Sequence, residues 1–185
     1  CGRYEYDEHF FFQDECSVAR LDSHRNFFLL YLKSGRMHFR LRDMAFTLQA
    51  GQLALVDCRA PHTFFTSGPA ASLWLHFDGA MAPAFFEEIL SLRERRQSFD
   101  LPPESPIPAM MDGIIDAVAS GAVPEVVQSQ QLYEILCTLL LPQQSDRTTD
   151  PVAAAMAYIQ DHLAQPVSVP QLAATVNLSA SHFSR

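Results

Sequence analysis

Apolar residues change their spacing once along this chain, near residue 80, and that change limits the folds open to it. Up to Phe77 they recur mostly at every second position; after Pro83 they recur at every third or fourth. The first period is that of a strand with one face inward, the second that of an amphipathic helix. Phe27 to Leu32 is apolar throughout, as in a strand covered on both faces. Lys33-Ser34-Gly35-Arg36 has turn chemistry. Met37, Phe39 and Leu41 then alternate with His38, Arg40 and Arg42, and after Arg42-Asp43 a second run carries Met44, Phe46 and Leu48. Two such runs around a tight turn predict a hairpin. Further short strands are predicted at Leu53 to Val56, at His62 to Thr66 after Ala60-Pro61, and at Ser72 to Phe77. Strands this short and this regularly spaced predict an antiparallel barrel or jelly roll.

The helical part divides at its prolines. Phe85, Phe86, Ile89 and Leu90 follow Pro83; Met111, Ile114, Ile115 and Val118 follow Pro108. After Pro124, Leu132, Ile135, Leu136, Leu139 and Leu140 form one broad apolar face, and Pro142 ends that helix. Gln143 to Asp150 is polar and without period, which reads as a linker. Val152, Met156, Ile159 and Leu163 predict another helix between Pro151 and Pro166.

The 185 residues carry a net charge of -8, with only 13 Lys and Arg, most of them before Pro103. An acidic surface repels phosphate, so this chain alone is expected to hold nucleic acid poorly. No apolar run approaches a membrane span and no basic leader opens the chain, so a soluble, cytoplasmic protein with no membrane partner is expected. Cys1, Cys16, Cys58 and Cys137 are far apart and form no CxxC pair, which suits reduced thiols.

The last residues carry the most specific signal. Ser168 suits an N-cap and Pro170 a first helical turn. Leu172 and Val176 give an apolar side, and Ala173 is small where a second helix crosses closely. Asn177 tolerates a left-handed turn, Leu178 plugs it, Ser179 caps the next helix and Phe183 points back. This is the spacing of a helix-turn-helix.

The stretch SVPQLAATVNLSASHFSR resembles the first helix-turn-helix of AraC-type transcription regulators. The stretch LLYLKSGRMHFRLRDMAFTLQAGQLALVDCRAPHTFF, followed by WLHFDG, resembles their cupin sensor domain, with Gly35, Gly51, Pro61 and His62 where that barrel turns. The resemblance implies a cupin barrel over 1–97, dimerisation helices over 98–142, a linker over 143–151 and an incomplete DNA-binding domain over 152–185. It implies a small-molecule effector, a sugar or another small polar molecule, and a homodimer, with RNA polymerase open to it as a further partner. It places DNA contacts at Ser181, Ser184 and Arg185, where the recognition helix has barely begun, so DNA binding is expected of the full-length protein and not of this chain. The apolar stripe of Leu132, Leu136 and Leu139 is the expected dimer surface, with covering the barrel as its other use.

The same resemblance implies ligand-binding roles for Arg20, Phe64 and Trp74. The only Trp of the chain suits stacking on a sugar ring, with polar neighbours for its hydroxyls. Ser72, Trp74 and His76 share one strand face, opposite Leu73, Leu75 and Phe77, and alternation leaves open which face is internal. His62 either closes the turn after Pro61 or faces the pocket. A cupin enzyme or isomerase acting on a small carbohydrate is the alternative. Metal-binding cupins need two His and a Glu; here Asp22 and His24 stand at the His positions, Phe28 replaces the Glu, and His62 alone remains of the second motif. No metal, no other cofactor and no catalytic residue is therefore expected.

Overall fold

The computed structural model describes residues 1–14, 26–141, 155–156, 158–159, 162, 167–176 and 178–183. They form two compact units, Cys1–Leu140 and Leu141–Arg185.

Among the described residues the first unit begins with nine strands and one helix set among them: β1 (Gly2–Tyr6), β2 (Phe11–Asp14), β3 (Phe27–Ser34), β4 (Arg36–Leu41), β5 (Ala45–Gln49), β6 (Gln52–Asp57), β7 (His62–Thr66), β8 (Ala70–Phe77), α1 (Ala82–Ser91) and β9 (Ser98–Asp100). Two helices follow, α2 (Ile107–Ser120) and α3 (Glu125–Leu140). The strands make a five-stranded sheet in the order β1-β8-β3-β6-β9 and a four-stranded sheet in the order β2-β7-β4-β5. Every pairing is antiparallel. This is the cupin-like β domain that the alternation and the resemblance pointed to, followed by helices.

The five-stranded sheet is apolar on both faces because each face meets a different layer. Phe28, Leu30, Leu32, Ala54 and Val56 point inward and share a core with Met37, Phe39, Leu48 and Phe64 of the other sheet. Phe27, Leu29, Leu53, Leu55, Leu73 and Leu75 point outward into a second core with the helices. The unbroken apolar run of β3 therefore reflects a three-layer arrangement. The four-stranded sheet keeps a polar outer face, where His38 bonds Thr47 and Ser67 at 3.0 and 3.1 Å. Gly35 turns β3 into β4 at φ 83°; a Cβ there would stand 2.4 Å from the Pro69 carbonyl oxygen. Only glycine fits that turn.

Three expectations need correction. Leu136 and Leu139, assigned to a dimer surface, are 2% and 0% exposed, and Leu132 is half-buried against the same core. The outer face of the sheet has to be covered, α2 packs on β8, and α3 uses its apolar stripe on α1 and α2. Val118, counted with the stripe of α2, is exposed, and Ala117 takes the buried place in that last turn. Ser98–Asp100, grouped with the helices, pairs with β6 as the edge of the five-stranded sheet. Strands β1 and β2 went unnoticed in the alternation.

In the second unit α4 (Val169–Thr175) and α5 (Ala180–Phe183) are joined by a short turn. Gln171 Oε1 accepts from the Ser168 backbone N–H at 2.8 Å and from its hydroxyl at 2.7 Å, and the Ser179 hydroxyl accepts from the His182 N–H at 3.2 Å, so Gln171 holds the first helix end and Ser179 caps the second. The Leu178 N–H bonds the Ala173 carbonyl at 2.9 Å, closing the turn over a buried Ala173. Ala155, Met156, Tyr158 and Ile159 are helical, within the helix expected from Val152 to Leu163. The linker over 143–151 and Asn177 lie outside the described residues. Among the described residues no helix is long and apolar enough to cross a membrane.

Candidate effector-binding site

Between the two sheets lies a cavity of about 200 Å³. The alternation of β8 settles which side chains reach it. Leu73, Leu75 and Phe77 belong to the helix-side core, so Trp74 and His76 face the barrel. Phe28 of β3 joins them from the same sheet, and His62 and Phe64 of β7 face them from the other. The N-terminal strands supply Tyr4, Tyr6 and Phe12, with Phe10 between them, and Cys58 lies just past β6. Phe12 stands 4.8 Å from Phe64, Phe28 lies 5.8 Å from Phe64 and 4.6 Å from His76, and Tyr6 lies 4.5 Å from Phe10, centroid to centroid. These rings touch one another in a continuous lining, at spacings typical of favourable aromatic pairs.

The polar groups are few and mostly committed. The Tyr6 hydroxyl pairs with the Ser72 hydroxyl at 2.9 Å. Ser72 is 1% exposed and does not line the cavity; it reaches it through Tyr6. Burial pushes the Tyr6 phenol above its usual range, against the opposing hydrogen bond from Ser72, so Tyr6 is neutral. The His62 Nδ1 faces the Ala60 carbonyl at 3.0 Å. A carbonyl only accepts, so Nδ1 carries a proton, and in that tautomer of the imidazole Nε2 is the acceptor. His62 thus closes the turn after Pro61 and lines the cavity as well. His76 Nδ1 meets the Asn26 side-chain oxygen at 2.8 Å.

Strand β1 is an edge strand with two kinds of contact. Its even residues Tyr4 and Tyr6 line the cavity. Arg3 reaches the other way, to Asp112 and Asp116 of α2 at 2.6 and 2.9 Å. Gly2 stands opposite Trp74 in the pairing, and a Cβ there would come within 3.2 Å of the indole. The glycine gives the indole its room.

Of the ligand-binding residues read from the sequence, His62, Phe64 and Trp74 are brought together and Ser72 supports them at one remove. Arg20 lies outside the described residues, as do Asp22 and His24. Tyr4, Tyr6, Phe10 and Phe12 were missed. Tyr4 and Tyr6 do alternate with Arg3 and Glu5, a strand signal too short to stand alone. Phe28, where metal-binding relatives of this barrel need a carboxylate, packs its ring into the lining. Of the DNA-contact residues, Ser181 is exposed on α5; Ser184 and Arg185 lie outside the described residues.

Residues 15–143 match the model of the AraC-like ligand binding domain. This chain belongs to that family. No curated relative matches it. Among solved structures, the AraC-like domain and its flanks are similar to the AraC-like transcriptional activator CuxR, at 10% identity and a TM-score of 0.44, over 97% of this chain and 64% of that one. They are similar to ToxT from Vibrio cholerae O395, at 6% identity and a TM-score of 0.43, over 98% of this chain and 72% of that one. A cupin superfamily protein from Desulfitobacterium hafniense DCB-2 is similar at 12% identity and a TM-score of 0.33, over 39% of this chain and 60% of that one. The matched part is thus less than two thirds of the length of that cupin protein and of CuxR.

Proposed function

We propose that this chain is the effector-sensing part of a DNA-binding transcription regulator. The observation that carries the reading is the aromatic cavity formed by the AraC-like ligand-binding domain together with the two strands before it. A hydroxylated ring, a sugar or another small polar molecule, would lie against Trp74 with its hydroxyls toward His62 and Tyr6. Arg20 belongs to the proposal through the family resemblance alone. A binding role is favoured over a cupin enzyme because Phe28 stands where the metal-binding cupin pattern expects its Glu, and its ring joins the cavity lining.

In this reading the second unit serves DNA binding, with α5 in a recognition helix and Ser181, Ser184 and Arg185 as its base-contact residues. A homodimer would pair two such units on two half-sites. The dimer surface then has to be the outward face of α3, where Val126 is 75% and Tyr133 45% exposed, since Leu136 and Leu139 are used within the protomer.

Selection of duplex DNA from a random library by the protein at its native genomic length tests the reading. Enrichment of a sequence with two half-sites spaced by whole helical turns is expected. Recovery of unenriched DNA, at salt low enough for nonspecific binding, would count against a regulator.

A further inference from the structure

We infer that the effector is a single-ring aromatic compound bearing a hydroxyl group, in preference to a sugar; the inference rests on the cavity being the effector site. Size comes first. A dry apolar cavity of about 150 Å³ accepts benzene, so about 200 Å³ suits one ring with a small substituent or two. The shape of the lining comes second. Phe28 and Trp74 stand on one sheet and Phe12 and Phe64 on the other, so both sheets offer aromatic carbon to a molecule in the cavity. Aromatic pairs gain by offset or edge contact. A sugar ring has polar groups all round its rim, and each hydroxyl left unbonded in a buried site counts against binding.

Among the described residues, the ring edge of His62 offers a place for one hydroxyl. The Tyr6 hydroxyl is shared with Ser72, and His62 Nδ1 is bonded to the Ala60 carbonyl. His62 Nε2 is an acceptor on a ring that is 5% exposed and lines the cavity. A phenolic O–H donates to such an acceptor; a bare hydrocarbon ring leaves it unbonded. His62 is also stacked beside Phe64, with 4° between the ring planes, so its edge is held in the plane of the aromatic lining. A planar ligand parallel to Phe64 would present its hydroxyl to that edge.

The chain has one Trp, so its amide spectrum has one indole N–H signal, a reporter inside the cavity. Titration with p-cresol, toluene and L-arabinose should move this signal saturably for p-cresol, about three- to tenfold more weakly for toluene, and not at all for arabinose. His62→Ala should abolish the preference for p-cresol over toluene while both still bind. The wild-type comparison decides the class even if that variant fails to fold. Saturable binding of arabinose without binding of p-cresol overturns the aromatic class and leaves the effector-site reading standing. Toluene binding as tightly as p-cresol overturns the role of the hydroxyl. No shift with any of the three overturns both the class and the cavity as effector site.

Discussion

Arg59 meets a carboxylate and an aromatic ring with one side chain, between Cys58 and His62 of the cavity wall in sequence. Its guanidinium bonds both oxygens of Asp57 at 2.8 and 2.7 Å and lies 4.6 Å from the centre of the Phe27 ring. Its backbone N–H donates to the same carboxylate at 2.9 Å. Burial works to raise the Asp57 carboxyl, but these hydrogen bonds together hold it below the usual carboxylate range. The sign of the linkage follows. A carboxyl whose folded value is depressed adds stability above its unfolded value, about pH 4, and loses it as pH falls through the folded value. Both side chains are partly exposed, so the ion pair is screened, and with the cation–ring contact it is worth about 1 kcal/mol. Arg59→Ala is expected to lower Tm by about 2–4 °C near pH 7. The gap should narrow below about pH 4, because Asp57 is then losing its charge in wild type too. Thermal unfolding of both proteins across pH 3–7 checks this; an equal gap at both ends of the range would mean that the pair contributes nothing through charge.

At the level of elements, how much of the fold was legible depended on whether a pattern had one use or two. The hairpin β4–β5 and strand β7 show plain alternation, since only one face of their sheet packs on the core, and their limits, like those of β6 and β8, fall within two residues of the expected ones. The continuous run of β3 was legible as doubly covered but not by what, because cover by a sheet and cover by helices leave the same apolar run. The same ambiguity hid which face of β8 holds Trp74; it resolves only when Leu73 and Leu75 meet the helices. Strands β1 and β2 pair with β8 and β7, far away in the chain, so no local hairpin marks them. They and the turn between them carry four of the ten lining residues, Tyr4, Tyr6, Phe10 and Phe12, which is why that part of the site was invisible in the sequence. On α3 the stripe Leu132, Leu136 and Leu139 was clear, but amphipathicity does not say whether the partner is the same chain or another. The structure's answer can be measured. Leu136→Ala is expected to cost about 2–5 kcal/mol in urea unfolding, the range for emptying a well-packed leucine site. A variant as stable as wild type would return Leu136 to the surface.

Across the whole molecule, a chain with net charge -8 gains little from phosphate unless two DNA-binding units act together on one duplex. Assembly is then a requirement of the proposed function, and the protomer core leaves it only outward faces. On α3, Val126, Gln130, Tyr133 and Cys137 are all exposed and follow one another at spacings of three and four, so they share one side of the helix. Tyr133 stands near the middle of α3, where a two-fold axis would bring the same patch of a second copy against it. Its ring is already held by an edge contact with Phe85 at 5.2 Å, which limits the freedom it would lose on binding. A tyrosine at the centre of an interface commonly contributes 2 kcal/mol or more, so Tyr133→Glu is expected to raise the dimer Kd by roughly thirtyfold or more. Sedimentation equilibrium at micromolar concentration should then give a dimer of the 20.7 kDa wild-type chain and a monomer of the variant. Val126→Asp, on an exposed position with no core contact, should act in the same direction with Tm unchanged. Tm measured alongside separates lost assembly from lost folding. A wild-type chain that stays monomeric at high micromolar concentration would remove α3 as the dimer surface. Dimers that persist in both variants would move the interface to another face.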